Sequence, residues 1–122
     1  MFGLTGGVSI YLCTRSTDMR KAYNGLSGDV RDYLKQDPLS GSMFVFMNRT
    51  RNRMKILVWE RHGFWLLCKR LEAGRFQTVL PQNSSDASTV LTYEQLLLII
   101  EGIDLRSVRH RKRFMLPVKC AV

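Results

Sequence analysis

The middle of the chain, from residue 43 to residue 80, alternates short apolar runs with brief polar or glycine-bearing breaks. Runs rich in Val, Ile, Phe and Trp lie at about 43–47, 53–60, 64–71 and 75–80. Because gaps this short leave no room for crossover helices, the pattern predicts an antiparallel β-meander. A separate apolar run at 8–13 predicts a further strand in the same sheet.

Two other stretches have the spacing of helices. Thr17 is a candidate N-cap for a helix over about 18–35, in which apolar residues recur every three or four positions. Thr92 and Gln95 form a capping box for a second helix over about 93–102. The polar stretch at 81–89, between the meander and this helix, predicts a loop. The fold class predicted is therefore α+β, with an antiparallel meander of about four to five strands packed against two helices.

Length and composition indicate one domain. The chain has 122 residues, of which 45% are hydrophobic, enough for a packed core. We expect a single α+β domain over 1–105, followed by a basic tail over 106–122. No run is long enough to span a membrane and no secretory leader precedes the first strand, so the expected location is the cytoplasm.

The net positive charge of the chain indicates the class of partner that it binds. Lys and Arg number 19 against 10 Asp and Glu, which leaves a formal charge of +9. Arginine outnumbers lysine, and its planar guanidinium suits bidentate contacts with phosphate. An excess of this size in a small domain indicates a polyanionic partner, either nucleic acid or an acidic protein surface.

The meander predicts where this charge gathers, because its turns near 48–52 and 72–74 lie at one end of the sheet. That end collects Arg49, Arg51, Arg53, Arg70 and Arg75. A hairpin centred near Arg61 and His62 places Arg53 nearly opposite Arg70, where like charges repel. The arginines either extend into solvent or hold phosphates.

Two further groups of cations are candidate nucleic-acid contacts. Arg20 and Lys21 stand in the first turn of the first predicted helix, where free N–H groups can receive an anion. The tail supplies a possible flexible arm, formed by Arg109, Arg111, Lys112 and Arg113. Nothing in either group predicts base-specific contacts.

Catalytic and metal-binding patterns are weak. The histidines, His62 and His110, have no setting that suggests a nucleophile with its base, and the carboxylates are scattered. A metal-dependent nuclease built from Asp18, Glu60 and Glu72 is a low-ranked alternative. The prediction is therefore a protein that is not an enzyme and that has no cofactor.

Aromatic and apolar residues offer two other binding surfaces. On an open sheet face, Trp59 or Trp65 beside Lys55 or Lys69 would give a stacking platform for single-stranded nucleic acid. The second helix contains five consecutive apolar residues and is therefore apolar on every side. If one side is not buried in the domain, Leu97 and Ile100 are candidate contacts for a partner protein.

Several motifs in one order resemble the TnpB-type accessory proteins of the IS66 group of bacterial insertion sequences. They are Thr17-Asp-Met-Arg-Lys-Ala-Tyr-Asn-Gly-Leu26, Asp37-Pro-Leu-Ser-Gly41, Phe44-Val-Phe46, Arg53-Met-Lys-Ile-Leu57, Gly63-Phe-Trp65, Lys69-Arg-Leu-Glu-Ala-Gly-Arg-Phe76 and Leu97-Leu-Ile-Ile-Glu-Gly-Ile-Asp104. The resemblance covers about residues 1–105. Ala22 departs from it, as does the longer polar stretch at 82–90.

The resemblance implies a small protein that is encoded beside a separate transposase and needed for movement of the element. It does not imply that this chain cleaves DNA, and it does not concern the RNA-guided nuclease of the same label. Together with the charge, it predicts a non-catalytic accessory factor that binds DNA through phosphates and assists the transposase. The alternative is a protein–protein adaptor for the transposase with no DNA binding of its own.

Overall fold

The computed structural model describes residues 8–102. Its elements in chain order are β1 (Ile10–Cys13), α1 (Tyr23–Asp32), β2 (Met43–Met47), β3 (Arg53–Glu60), β4 (Gly63–Arg70), β5 (Ser88–Leu91) and α2 (Tyr93–Glu101). The strands form one sheet in the order β4-β3-β2-β1-β5. Only β1 and β2 run parallel, since α1 connects them. The predicted α+β class is confirmed.

Both faces of the sheet carry a hydrophobic core, because successive strand residues point to opposite faces. The face that packs on α1, termed the α1 face, buries Cys13, Leu26, Val30, Leu34, Phe44, Phe46 and Leu57. The other, termed the α2 face, buries Ile10, Leu12, Met43, Val45, Met47, Met54, Ile56, Val58, Phe76, Leu91, Leu96 and Ile99. All five residues of β2 are therefore buried, as the continuous apolar run of a central strand requires.

The predicted hairpin between β3 and β4 is present in its expected register. Glu60 pairs with Gly63, so the turn consists of Arg61 and His62 alone. Their φ angles are 46° and 71°, the left-handed values that a two-residue hairpin turn needs. Eight residue pairs in all, Glu60–Gly63 included, link the two strands without interruption, and the last of them places Arg53 directly opposite Arg70.

The predicted strand at 75–80 is wrong, and so is the predicted loop over the start of β5. Residues 71–87 contain no strand; they lead from β4, at one edge of the sheet, to β5 at the other. Phe76 and Val79 pack on the α2 face during this crossing. Their apolar side chains thus pack in the core, although their backbone forms no strand of the sheet. Thr89 and Val90 are β-branched residues within the strand that the sequence pattern missed.

The first helix is shorter than predicted, and Thr17 does not cap it. Thr17 is buried and its N–H donates to the Met47 carbonyl at 2.8 Å. The helix begins at Tyr23, after an N-cap, Ala22, that makes no side-chain capping bond. The backbone just before the helix is held by β3 instead: Lys55 Nζ donates to the carbonyls of Met19 and Lys21 at 2.8 Å each.

The second helix is confirmed together with its capping box. Thr92 Oγ1 accepts the Gln95 N–H at 3.1 Å, and Gln95 Oε1 accepts the Thr92 N–H at 2.9 Å. Gly102 ends the helix in the left-handed conformation. Among residues 8–102, no helix is long and apolar enough to cross a membrane. The predicted basic tail over 106–122 lies outside the described residues.

Candidate nucleic-acid interface

The turn over residues 48–52 forms the centre of the basic end, the name used below for Arg49, Arg51, Arg53, Arg70 and Arg75. Asn48 organises it: its Oδ1 accepts the N–H groups of Asn52 and Arg53 at 3.0 Å each. Its Nδ2 donates to Asn52 Oδ1 at 2.7 Å. With Arg51 held at a φ of 55° inside this network, the arginines project from a fixed backbone.

The loop after β4 is tied to the same turn. The Leu71 N–H donates to the Asn52 carbonyl at 2.8 Å, and the Phe76 N–H donates to the Arg51 carbonyl at 2.7 Å. Phe76 is fully buried and anchors the loop in the core. Arg75 therefore lies beside the 48–52 turn although it is far from that turn in the chain.

An open groove of about 380 Å³ adjoins the basic end on the α1 face. Its lining includes Arg53, Lys55, Cys68 and Arg70, which share that face of β3 and β4, together with Met19. Three of these five side chains are cationic. The groove is therefore a concave basic surface on rigid strands, suited to the phosphates of a polyanion.

Local ion pairs separate the cations into two classes. Arg70 donates to Glu72, with 3.0 Å between Nη2 and Oε2. Arg49, Arg53 and Arg75 are exposed and form no ion pair with any carboxylate of residues 8–102. The charge of those three arginines is therefore uncompensated, and they can bind an anion without first breaking an ion pair with a carboxylate.

Arg51 differs from the other members of the basic end. Its side chain is half-buried, and its Nε is buried with no hydrogen-bond partner among the described residues. Its carbonyl also holds the loop after β4 through Phe76. Arg51 therefore stabilises the loop after β4 through its backbone, in addition to contributing its charge.

Arg20 and Lys21 lie before α1, so their predicted position in its first turn is wrong. Arg20 Nη2 is 2.7 Å from Asp18 Oδ2, and Lys21 Nζ is 2.9 Å from Asp29 Oδ2. The Arg20 side chain and backbone N–H both bind the Asp18 carboxylate and lower its pKa from 3.8 to about 2. Both cations are thus neutralised in part by neighbouring acids.

The two tryptophans do not form one stacking platform. Trp59 lies on the α1 face and packs edge-to-face on Phe64, with 5.0 Å between ring centroids. Trp65 lies on the α2 face, is 51% exposed, and donates its indole N–H to Glu60 Oε1 at 3.0 Å. A strand of nucleic acid along one face would meet only one of them.

The acids considered for a nuclease are not brought together. Glu60 ends β3 beside the hairpin turn and Glu72 follows β4 at the other end of the hairpin, and each is hydrogen-bonded to a residue near it. Asp18 lies before α1 and binds Arg20. In the described part of the chain, no three Asp, Glu, His or Cys side chains are grouped to hold a metal ion.

The candidate protein contacts on α2 have different surroundings. Leu97 is 41% exposed, as is Tyr93 one helical turn before it. Ile100 is half-buried and packs against the core of the α2 face. Leu97 and Tyr93 thus present an apolar strip, whereas Ile100 belongs largely to the domain interior.

Lys55 and Lys69 also line the groove, although the sequence nominated them only as neighbours of a stacking tryptophan and not as phosphate contacts. The signal was present, since Lys55 is two positions after Arg53 and the side chains of a strand repeat with a period of two. What the sequence did not show is that Met19, from the segment before α1, also lines the groove.

The tail cations Arg109, Arg111, Lys112 and Arg113 lie outside the described residues.

Comparison with known proteins gives consistent matches along the chain. The family model described as IS66 Orf2 like protein matches residues 8–110. Two proteins of Sinorhizobium fredii are similar to the chain. "Uncharacterized protein y4jC" is 32% identical over 99% of this chain and 100% of its own length. "Uncharacterized protein y4hO" is 34% identical over 81% of this chain and 84% of its own. No solved structure matches.

Proposed function

Because the chain belongs to the IS66 Orf2-like family, we propose that it is a non-catalytic accessory factor of transposition that binds DNA through the phosphates. Membership supports the role in transposition, with a separate transposase as partner. The single observation behind DNA binding is the basic end, where Arg49, Arg53 and Arg75 project from hydrogen-bonded turns without carboxylate partners. The planar fork of a guanidinium group matches the oxygens of phosphate, as it does those of carboxylate, in bidentate hydrogen bonds.

The pairing of Arg53 with Arg70 supports the same proposal. Two like charges directly opposite each other on antiparallel strands destabilise a sheet by a few tenths of a kcal/mol to about 1 kcal/mol. Arg70 also donates to Glu72, which offsets part of this repulsion in the free protein. A phosphate between the two arginines removes the remainder and accepts charge-assisted hydrogen bonds from both. Binding therefore converts an unfavourable contact of the free protein into a favourable one.

Lys55 extends this surface along the α1 face. It holds the backbone before α1 by donating to the carbonyls of Met19 and Lys21, so its ammonium group is fixed near the groove. The groove in turn reaches from Arg53 and Arg70 to Met19, the residue before Arg20 in the chain. In this proposal the phosphates of one DNA strand lie along the groove, and the protein makes no base-specific contacts.

The test is a salt series with the full-length protein and fluorescein-labelled DNA. Duplex carrying an element end, scrambled duplex and single strand are titrated between about 50 and 200 mM salt, where each neutralised phosphate of duplex DNA contributes about 0.9 to the log–log slope. We expect tight binding at low salt that weakens steeply as salt rises. A complex whose affinity does not change with salt would exclude the phosphate mechanism.

Single-charge variants locate the contact. Arg53→Gln and Arg75→Gln should each lower the slope by about 0.9. The matched control is Arg61→Gln, which removes the same charge at the opposite end of the β3–β4 hairpin and should leave the slope unchanged. Equal losses from all three variants would mean that only net charge matters, and the basic end would not be the site. Circular dichroism spectra of all three variants that match the wild-type spectrum would show that weaker binding does not come from unfolding.

A second candidate is an adaptor that contacts the transposase through α2. The observation that favours it is the exposed strip of Tyr93 and Leu97, since apolar aromatic and aliphatic surface is typical of protein interfaces. Leu97→Asn should abolish co-purification with the transposase and leave DNA binding intact. Glu94→Ala, an exposed change on the same helix, is the control. Retention of the transposase by Leu97→Asn would remove this surface from consideration.

A further inference from the structure

Strand β4 is a long, regular edge of the sheet. It pairs with β3 over eight residues in unbroken register, without a bulge or a proline, and no strand formed by residues 8–102 covers its outer side. Proteins normally protect such edges because their unpaired N–H and C=O groups can extend a sheet across molecules. The opposite edge, β5, has only four residues.

The hydrogen-bond pattern shows which groups face outwards. The Leu71 N–H donates to the Asn52 carbonyl, one step beyond the Arg53–Arg70 pair. In an antiparallel ladder the bonding residues alternate. The odd-numbered residues of β4 therefore bond to β3, and the backbone groups of the even-numbered residues point to the open side: Phe64, Leu66, Cys68 and Arg70.

The side chains of the same strand expose apolar surface. On the α2 face, Trp65 is 51% exposed and Leu67 is 37% exposed. They are two residues apart, so an antiparallel copy of β4 centred on Leu66 would place each Trp65 directly opposite the partner's Leu67. That arrangement buries both pairs at once and uses the same surface on both molecules, as a two-fold interface requires.

We infer that the chain forms a homodimer in which two β4 strands pair antiparallel, Leu66 opposite the partner's Leu66, to make one continuous ten-stranded sheet. In this register the outward backbone groups of Leu66 meet their own counterparts, and those of Phe64 meet the partner's Cys68. Cross-strand pairs of aromatic and aliphatic residues stabilise such contacts. The interface excludes water from the apolar surface of the edge.

Charge complementarity favours a second copy as the occupant of this edge. Lys69 would lie opposite the partner's Gly63, which has no side chain, and beyond it is the partner's Glu60 on the next strand. Lys69 and Glu60 are both on the α2 face, since Glu60 contacts Trp65 there and Lys69 Nζ donates to the Ile100 carbonyl of α2. Two strand spacings, about 10 Å, lie within the combined reach of a lysine and a glutamate.

The first test is the mass of the full-length protein in solution, by sedimentation at tens of micromolar. We expect twice the 14.1 kDa mass of the chain. Trp65→Lys and Leu67→Lys place charge in the interface and should each give a monomer that circular dichroism shows to be folded. Val90→Lys is the matched control, because Val90 is 66% exposed on the other edge strand. A monomeric wild type, or a dimer that both lysine variants retain, would overturn the inference.

Disulfide trapping tests the register itself. The background is Cys68→Ser with Cys120→Ser, which leaves the buried Cys13. Leu66→Cys would place two thiols across a hydrogen-bonded pair, with Cα atoms about 5.5 Å apart and within disulfide range. Leu67→Cys would leave them about 8 Å apart, beyond that range. We expect rapid oxidation to a covalent dimer for Leu66→Cys only; trapping through Leu67→Cys alone, or through neither, would contradict the proposed pairing.

Discussion

At the scale of single residues, the candidate interface depends on which cations lack a local partner. Arg20 and Lys21 are as basic as Arg53 and Arg75 in the sequence, but the fold places a carboxylate beside each of them. The Lys21 partner, Asp29, is eight positions away and meets it only because α1 begins after Lys21. The unpaired arginines at the basic end are therefore better candidates for phosphate contact than Arg20 and Lys21.

The Asp18–Arg20 pair gives a prediction for pH dependence. The Arg20 guanidinium and N–H lower the pKa of Asp18 from 3.8 to about 2 in the folded chain. A depressed pKa means that this contact contributes to stability above pH 3.8 and that the contribution is lost as the pH falls from there towards 2.

Carboxyl carbon NMR shifts measure this directly, with an expected titration midpoint for Asp18 near pH 2. Arg20→Gln removes the largest cause and should raise the midpoint towards 3.8. A midpoint that does not move in Arg20→Gln would show that Arg20 is not responsible.

At the scale of elements, the hairpin and the capped helix were the parts most open to prediction. The two-residue turn at Arg61 and His62, the pairing of Arg53 with Arg70, and the Thr92–Gln95 capping box all follow from local patterns. Predictions failed where an element depends on contacts elsewhere. Phe76 reads as part of a strand, yet its N–H bonds to the 48–52 turn and its ring fills the core.

The glycines of α1 give a prediction about this element. Glycine inside a helix costs about 0.5–1 kcal/mol relative to alanine. A Cβ on Gly28 would meet nothing closer than an Arg31 guanidinium nitrogen at 4.0 Å, so Gly28→Ala should stabilise the protein by about that amount. Urea unfolding provides the measurement.

Gly25 is the matched comparison within the same helix. A Cβ there would lie 3.1 Å from the Cβ and Cγ of Lys21, whose ammonium group is held by Asp29. Gly25→Ala should therefore lose most or all of the gain that Gly28→Ala shows. Equal stabilisation by both changes would mean that the Lys21 side chain moves aside at no cost.

At the scale of the whole molecule, the sheet has a core on each face and a cluster of arginines without carboxylate partners at one end. The segment 71–87 crosses the α2 face and brings Arg75 to the 48–52 turn. The inferred dimer would place the two basic ends on the same face of one sheet, at opposite ends of the paired β4 strands. Arg70 of one copy would lie opposite the partner's His62, which is eight residues from the partner's Arg70. The Arg70 residues of the two copies would therefore be about 27 Å apart.

The sequence by itself determined the α+β class, the meander of β2 to β4, the capped second helix and the cluster of arginines at one end. These depend on periodicity, turn length and capping, which act over a few residues. Only the tertiary structure decided which arginines stay unpaired, where α1 begins, and that β5 joins β1 at the far edge. Those outcomes depend on contacts between residues distant in the chain, such as Lys55 with Met19 and Phe76 with Arg51, and no local pattern encodes such contacts.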